Sequence, residues 1–219
     1  MKKFNMAVDG TSGVGKSSVC DIIADKLNMT HLDTGAMYRC VALYLKEGNT
    51  NLEDLSAVES ALDNVHIRFD GDKVILNDQD VSKTIRTNEV GMMASKTSAL
   101  APVRTKLVSL QKEIAAAKGY IVDGRDICSV VLPDAEVKIF MSATAEARAQ
   151  RRYKEYVSKG MEVDYKQILD DINQRDYQDS HRAISPLKKA EDAIEVDTSE
   201  LNIEQVVNKI LDIIKEKVD

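Results

Sequence analysis

The stretch Asp9-Gly10-Thr11-Ser12-Gly13-Val14-Gly15-Lys16-Ser17-Ser18 constrains this 219-residue chain more than any other. Gly10, four residues, and then Gly15-Lys16-Ser17 satisfy the spacing G-x-x-x-x-G-K-[ST]. The glycines let the backbone curl until its N–H groups converge, which suits phosphate oxygens. Lys16 can reach the outer phosphates, Ser17 can offer a hydroxyl to Mg2+, and a helix starting there adds its positive end. The motif has force only between a strand and a helix. "FNMAV" before it reads as the strand, and "SVCDIIADKL" after it as the helix.

The rest of the chain continues that rhythm. Strands are expected at 4–8, 30–32 and within 119–126, 136–143 and 193–199. Helical spacing covers Lys16 to Leu27. It also covers Ile203 to Val218, where Val206, Val207, Ile210, Leu211, Ile213 and Ile214 share a face. Strands separated by helices imply right-handed crossovers, hence an α/β fold on a five-stranded parallel sheet flanked by helices. One segment departs from this. Residues 65–81 alternate at Val65, Ile67 and Phe69, turn at Asp70-Gly71, and resume at Val74 and Leu76, which predicts an antiparallel hairpin insertion. Residues 146–176 read as a charged helical stretch interrupted at Gly160, suited to a mobile cover.

With 43% hydrophobic residues the chain can bury one sizeable core, so a single domain with inserted lobes is expected. A net charge of -6 argues against a protein that coats nucleic acid, yet leaves room for a local anion pocket. No window approaches the ~20 apolar residues of a membrane span. The start Met1-Lys2-Lys3-Phe4 runs straight into the first strand and lacks the apolar stretch of a signal peptide. The three cysteines, Cys20, Cys40 and Cys128, show no C-x-x-C spacing and fit a reducing cytoplasm as buried thiols. The three histidines, His31, His66 and His181, sit in unrelated contexts and read as structural or surface residues.

Two further features sharpen the chemistry. "YIVDGRD" is an apolar strand ending in Asp123, the place of the acidic partner that holds Mg2+ directly or through water. Arginines gather in the candidate site segments: Arg39, Arg104, Arg125, Arg148, Arg151, Arg152, Arg175 and Arg182. Guanidinium binds phosphate through paired hydrogen bonds and keeps its charge. Thr34 and Arg39 follow the second strand, and Arg125 and Asp126 follow another, at the edge where ligands bind open α/β sheets. A hydrolase needs one phosphate site and an activated water. Phosphoryl transfer to a nucleotide needs two anion sites, and its acceptor phosphate is already ionised, so positioning and charge neutralisation carry the catalysis.

Several stretches in order, "DGTSGVGKSS", "HLDTGAMYR", "TNEVGMMASKTSALAPVR", "IVDGRDICSVVLPDAEVKIFMSA", "RAQRR" and "RDYQDSHRAISPL", make the chain resemble the bacterial cytidylate kinases, a family of nucleoside monophosphate kinases. The likeness covers nearly the whole chain. It implies transfer of the γ-phosphoryl group of ATP to CMP or dCMP with Mg2+, by a cytoplasmic monomer that needs neither nucleic acid nor membrane. It implies a core of about residues 1–33, 86–147 and 177–219, a monophosphate lobe of about 34–100 with its β insertion at about 63–85, and a lid at about 148–165.

Residue by residue, the resemblance implies that Gly10 through Ser18 hold ATP and that Ser17 and Asp123 serve the metal. Thr34, Arg39, Ser95, Arg104, Arg125, Asp126, Arg175, Asp179 and Arg182 would bind CMP, and Lys16, Arg125, Asp126, Arg151 and Arg152 would do the catalytic work. Cytosine presents an amino donor beside acceptors at N3 and O2. A carboxylate (Asp126) with cationic and hydroxyl donors (Arg104, Ser95) matches that pattern, whereas uracil would set a carbonyl against the carboxylate. Thr34 stands where the family often has serine, keeping the hydroxyl and adding a methyl. Two other readings stay open: a P-loop kinase with another acceptor such as UMP, and a P-loop NTPase or switch module. Against the second, no guanine-reading N-K-x-D tetrapeptide is present.

Overall fold

The computed structural model describes residues 3–71 and 73–218; Met1 and Lys2 of the expected N-terminal run, Asp72 of the hairpin and Asp219 lie outside them. The chain forms two compact units, one of residues 33–114 and one of the segments on either side.

The larger unit is built on a five-stranded parallel sheet in the order β2-β6-β1-β7-β8. The strands are β1 (Met6–Gly10), β2 (Thr30–Asp33), β6 (Tyr120–Gly124), β7 (Val137–Ser142) and β8 (Ile194–Asp197). β1 is central, pairing in parallel with β6 and β7, and every one of its residues is buried. Burial on both faces explains its unbroken apolar run. Helix α1 (Lys16–Leu27) contributes Val19, Cys20, Ile23 and Ala24 to the core, and α8 (Ile203–Val218) contributes Val206, Val207, Ile210, Ile213 and Ile214. Burying each large aliphatic side chain is worth about 1.5–3 kcal/mol, which ties both helices to the sheet. Parallel register brings the carboxyl ends of the strands together: Val8 lies beside Asp123, and Asp9 beside Gly124.

α6 (Ala145–Ser158) and α7 (Tyr165–His181) belong to the same unit. The interruption read at Gly160 is real: that residue has φ +73° and leaves the helical path two residues past α6. Ala149, Ile168 and Ile172 join the two helices, with Tyr153 and Tyr165 edge to face at 6.1 Å.

The unit 33–114 holds α2 (Thr34–Glu47), α3 (Leu55–Leu62), α4 (Asn88–Thr97) and most of α5 (Ala101–Ala115). It also carries the antiparallel sheet of β3 (Ile67–Asp70), β4 (Lys73–Leu76) and β5 (Gln79–Asp80). The hairpin stands as read. The third strand follows a second tight turn, in which Asn77 (φ +46°) and Asp78 (φ +66°) are both left-handed. Asn and Asp tolerate that region better than other residues with a Cβ.

Candidate active site

The loop between β1 and α1 has the geometry of a phosphate cradle. Gly10 (φ +152°), Gly13 (φ +75°) and Gly15 (φ +94°) all take positive φ. A Cβ at Gly10 would stand 2.1 Å from the Met141 carbonyl oxygen, so only glycine lets the loop leave β1 beside β7. Lys16 is buried and folds back over the loop, its Nζ donating to the carbonyls of Gly10 (2.8 Å) and Thr11 (2.9 Å). Burial, aided by Arg125, lowers its pKa to about 7. An anion beside it would raise that value again.

Asp9, the residue before the loop, is a structural anchor. Its carboxylate accepts from the backbone N–H groups of Ile127 (2.7 Å) and Cys128 (2.9 Å). This ties the loop entrance to the π-helical turn Ile127–Val131 that follows Asp126. Burial raises the pKa of Asp9 despite those two donors.

At the start of α1, the Ser17 hydroxyl donates to Asp123 Oδ2 (3.0 Å). The other oxygen, Oδ1, lies 3.2 Å from His31 Nε2, and His31 Nδ1 lies 2.6 Å from Asp21 Oδ1. Burial alone would lower the pKa of His31, but the two carboxylates overcome it and raise it to about 9. The pKa of Asp123 is lowered: burial works against this, but His31, Lys16 and Ser17 outweigh it. Sequence reasoning passed over His31, which is 92 residues from Asp123; only the adjacency of β2 and β6 joins them. A hydroxyl and an ionised carboxylate are hard oxygen donors. They are also few, which fits a cation that keeps waters and phosphate oxygens as its other ligands.

Just past Asp123, at the end of β6, lies a cluster of opposite charges. Arg125 Nε donates to Asp179 Oδ2 at 2.7 Å, and Arg182 Nη2 stands 3.5 Å from Asp126 Oδ1. Arg182 Nε also donates to the Ser185 carbonyl (2.6 Å). Asp126 and Asp179 are buried. Burial alone would raise the pKa of Asp179, but Arg125, Arg175 and Arg182 pull it below the usual carboxylate value. The structure thus brings Arg125, Asp126, Asp179 and Arg182 together from β6, the turn after it and the end of α7, with Arg175 adding to the field.

The α6 arginines divide. Arg148 is buried, donates to the Ser12 carbonyl (3.0 Å), and grips Asp176 of α7 with both terminal nitrogens (3.0 and 2.5 Å). It locks helix to helix and both to the loop. Arg151 donates to the Thr198 and Ser199 carbonyls beyond β8. Arg152 reaches the loop, its Nη2 only 3.6 Å from where a Cβ on Gly13 would lie.

The remaining candidates belong to the unit 33–114. Thr34 is buried at the start of α2, which Asp33 caps by accepting from Ala36 N (2.9 Å). Arg39 donates to the carbonyls of Ile85 (2.8 Å) and Thr87 (3.4 Å). It passes so close to Gly91 that a Cβ there would sit 3.0 Å from Nη1. Arg104 is buried on α5 with its guanidinium 6.0 Å from the Tyr38 ring centre. Ser95, half-buried on α4, gives its carbonyl to the Ser98 hydroxyl (2.9 Å).

A phosphate loop between the central strand and first helix of a parallel sheet defines the P-loop class of proteins. A crystal structure of an uncharacterized protein from Eubacterium ventriosum shares the fold at a TM-score of 0.53 and 13% identity, covering 98% of this chain and 99% of that one. A family model described as Cytidylate kinase matches residues 6–216. A cytidylate kinase of Fusobacterium nucleatum is 49% identical over 96% of each chain, and one of Thermosipho melanesiensis is 49% identical over 97% of each. The chain belongs to the cytidylate kinase family. It is an enzyme that acts on nucleotides. Among the described residues no helix is long and apolar enough to cross a membrane.

Proposed function

We propose that the enzyme transfers the γ-phosphoryl group of ATP to CMP or dCMP, giving ADP and CDP or dCDP. The observation that carries this is the arginine–carboxylate cluster at the end of β6, beside a complete phosphate loop on β1. One sheet edge then offers two places for anions, as transfer between nucleotides requires.

In this reading residues 10–18 hold the ATP phosphates, with their backbone N–H groups and Lys16 spreading the charge that develops on the transferred group. Ser17 and Asp123 would hold Mg2+, Asp123 directly or through water, and the ion would supply positive charge to offset that of the outer phosphates. Arg39 and Arg125 hold the acceptor phosphate. Ser95, Arg104 and Asp126 read cytosine, while Arg175, Asp179 and Arg182 serve the sugar and phosphates, with Thr34 beside them. The acceptor oxygen carries its charge before the reaction, so no residue need remove a proton. Residues of about 34–100 form the acceptor lobe, and about 1–33, 86–147 and 177–219 form the core. A lid of about 148–165 brings Arg151 and Arg152 to the phosphates and excludes water. In this reading Arg151 must leave Thr198 and Ser199 to act. The buried Cys20, Cys40 and Cys128, none of them in a disulfide, support a reducing, cytoplasmic setting, and we read the working form as a monomer.

The deciding experiment is ADP release measured across all nucleoside monophosphates. CMP and dCMP should turn over fastest. A clear preference for AMP, UMP or dTMP would sink the base assignment, and acceptor-independent hydrolysis at the same rate would sink the kinase reading itself.

A further inference from the structure

His31 has no place in the function described so far, yet it closes a ring of side chains around the start of α1. Ser17 and Asp21 lie one turn apart on that helix. Ser17 donates to Asp123 Oδ2, Asp123 Oδ1 meets His31 Nε2, and His31 Nδ1 meets Asp21 Oδ1. Three elements, α1, β2 and β6, are thereby linked. The ring is asymmetric in exposure: the side chains of His31 and Asp123 are 9% and 4% exposed, that of Asp21 65%. Asp21 is therefore the solvent-facing prop of a buried imidazole.

A carboxylate on a short side chain can rotate about its Cβ–Cγ bond, which would trade the positions of its two oxygens. Donors on opposite sides suppress that rotation: Ser17 takes one oxygen and His31 the other. We propose that His31, propped by Asp21, is a positioning residue for phosphoryl transfer, holding Asp123 Oδ2 on the Ser17 side where the metal–nucleotide complex is received. The proposal rests on the reading of Asp123 as a metal-serving residue. It concerns orientation: His31 acts through Asp123.

The test is Mn2+ binding in the presence of ADP, followed by loss of the free-ion electron paramagnetic resonance signal, on the full-length enzyme. His31→Leu removes the donor to Asp123 and should weaken Mn2+ binding about tenfold. His31→Gln keeps an amide N–H at similar reach and should restore most of the affinity. The KM for CMP should stay within about twofold in both, since the lost contact belongs to the donor side, while kcat follows metal affinity. Circular dichroism melting checks the fold. If His31→Leu does not fold, Asp21→Ala carries the test, because that side chain is largely exposed; it should lower Mn2+ affinity several-fold. Folded His31→Leu or Asp21→Ala enzyme with unchanged Mn2+ affinity overturns the proposal, as does equal impairment of the Leu and Gln variants. Asp123→Asn separates the two ideas. If it loses Mn2+ affinity while the His31 variants do not, only the positioning role falls. If it binds Mn2+ normally, the reading of Asp123 falls and takes this proposal with it.

Discussion

The phosphate loop and the arginine–carboxylate cluster lie at the ends of adjacent strands and prepare for anions by opposite means. The loop presents backbone. Its shape comes from three glycines at positive φ, and its charge from N–H groups and the helix end. The cluster presents side chains gathered from distant points of the chain, Arg125 and Asp126 with Asp179 and Arg182, already paired with one another. The loop's donors are backbone groups supplied by folding itself. Buried guanidinium groups need partners, because an uncompensated buried charge is costly. The carboxylates therefore stabilise the arginines, and in the proposed reading an arriving phosphate would have to compete with them.

The largest effect expected from breaking this contrast is at Lys16, the loop's one side-chain charge. Lys16→Ala should lower kcat about 100- to 1000-fold, comparable to removing one preorganised donor. Melting temperature should not fall, because the buried lysine resists its charged state. Near-normal turnover would remove Lys16 from the mechanism.

The cluster should behave in the reverse way, through stability. Asp179→Asn leaves the Arg125 guanidinium without its carboxylate and should cost about 3 kcal/mol in urea unfolding at neutral pH. The pKa of Asp179 is depressed in the folded state, so its contribution is present above its unfolded value of 3.8 and is lost as pH falls through the lower folded value. The gap between wild type and variant should therefore be constant from pH 5 to 7 and close in stronger acid; a gap that stays constant below pH 3 would show the pair is not ionic. A smaller, selective effect is expected at Asp126. Asp126→Asn should reduce the preference for CMP over UMP about tenfold in kcat/KM, with an unchanged ratio refuting base reading.

The smallest expected effect is at the cysteines. Burial, aided by Asp33, pushes the Cys40 thiol up to about 12, and burial also raises Cys128. Iodoacetamide at pH 8 should leave the native enzyme unlabelled and fully active. Rapid native labelling would show that this core opens locally.

Much of the fold was legible because its signals are local. Glycine, lysine and serine at fixed spacing after an apolar strand specify the loop, and helical spacing specified α8 from Ile203 to Val218. The hairpin turn at Asp70-Gly71 was readable, but β5 was not, because Asn77 and Asp78 lack the Gly that announces a left-handed turn. The candidate site was legible only in part. Arg125, Asp126, Asp179 and Arg182 were named together through the family pattern, while their pairing appears only in the fold. Arg148 read as one of the arginines of the candidate site segments, yet its partners are Asp176, 28 residues on, and Ser12, 136 residues back.

The sequence alone determined the phosphate loop, the α/β alternation and the kinase family, because each is written in neighbouring residues or an ordered set of motifs. Only the tertiary structure decided which charges meet. The strand order places β6 between β2 and β1, and that single choice brings His31 to Asp123 and Asp123 to Ser17. Strand order is a property of packing among distant segments, so no local spacing along the chain encodes it.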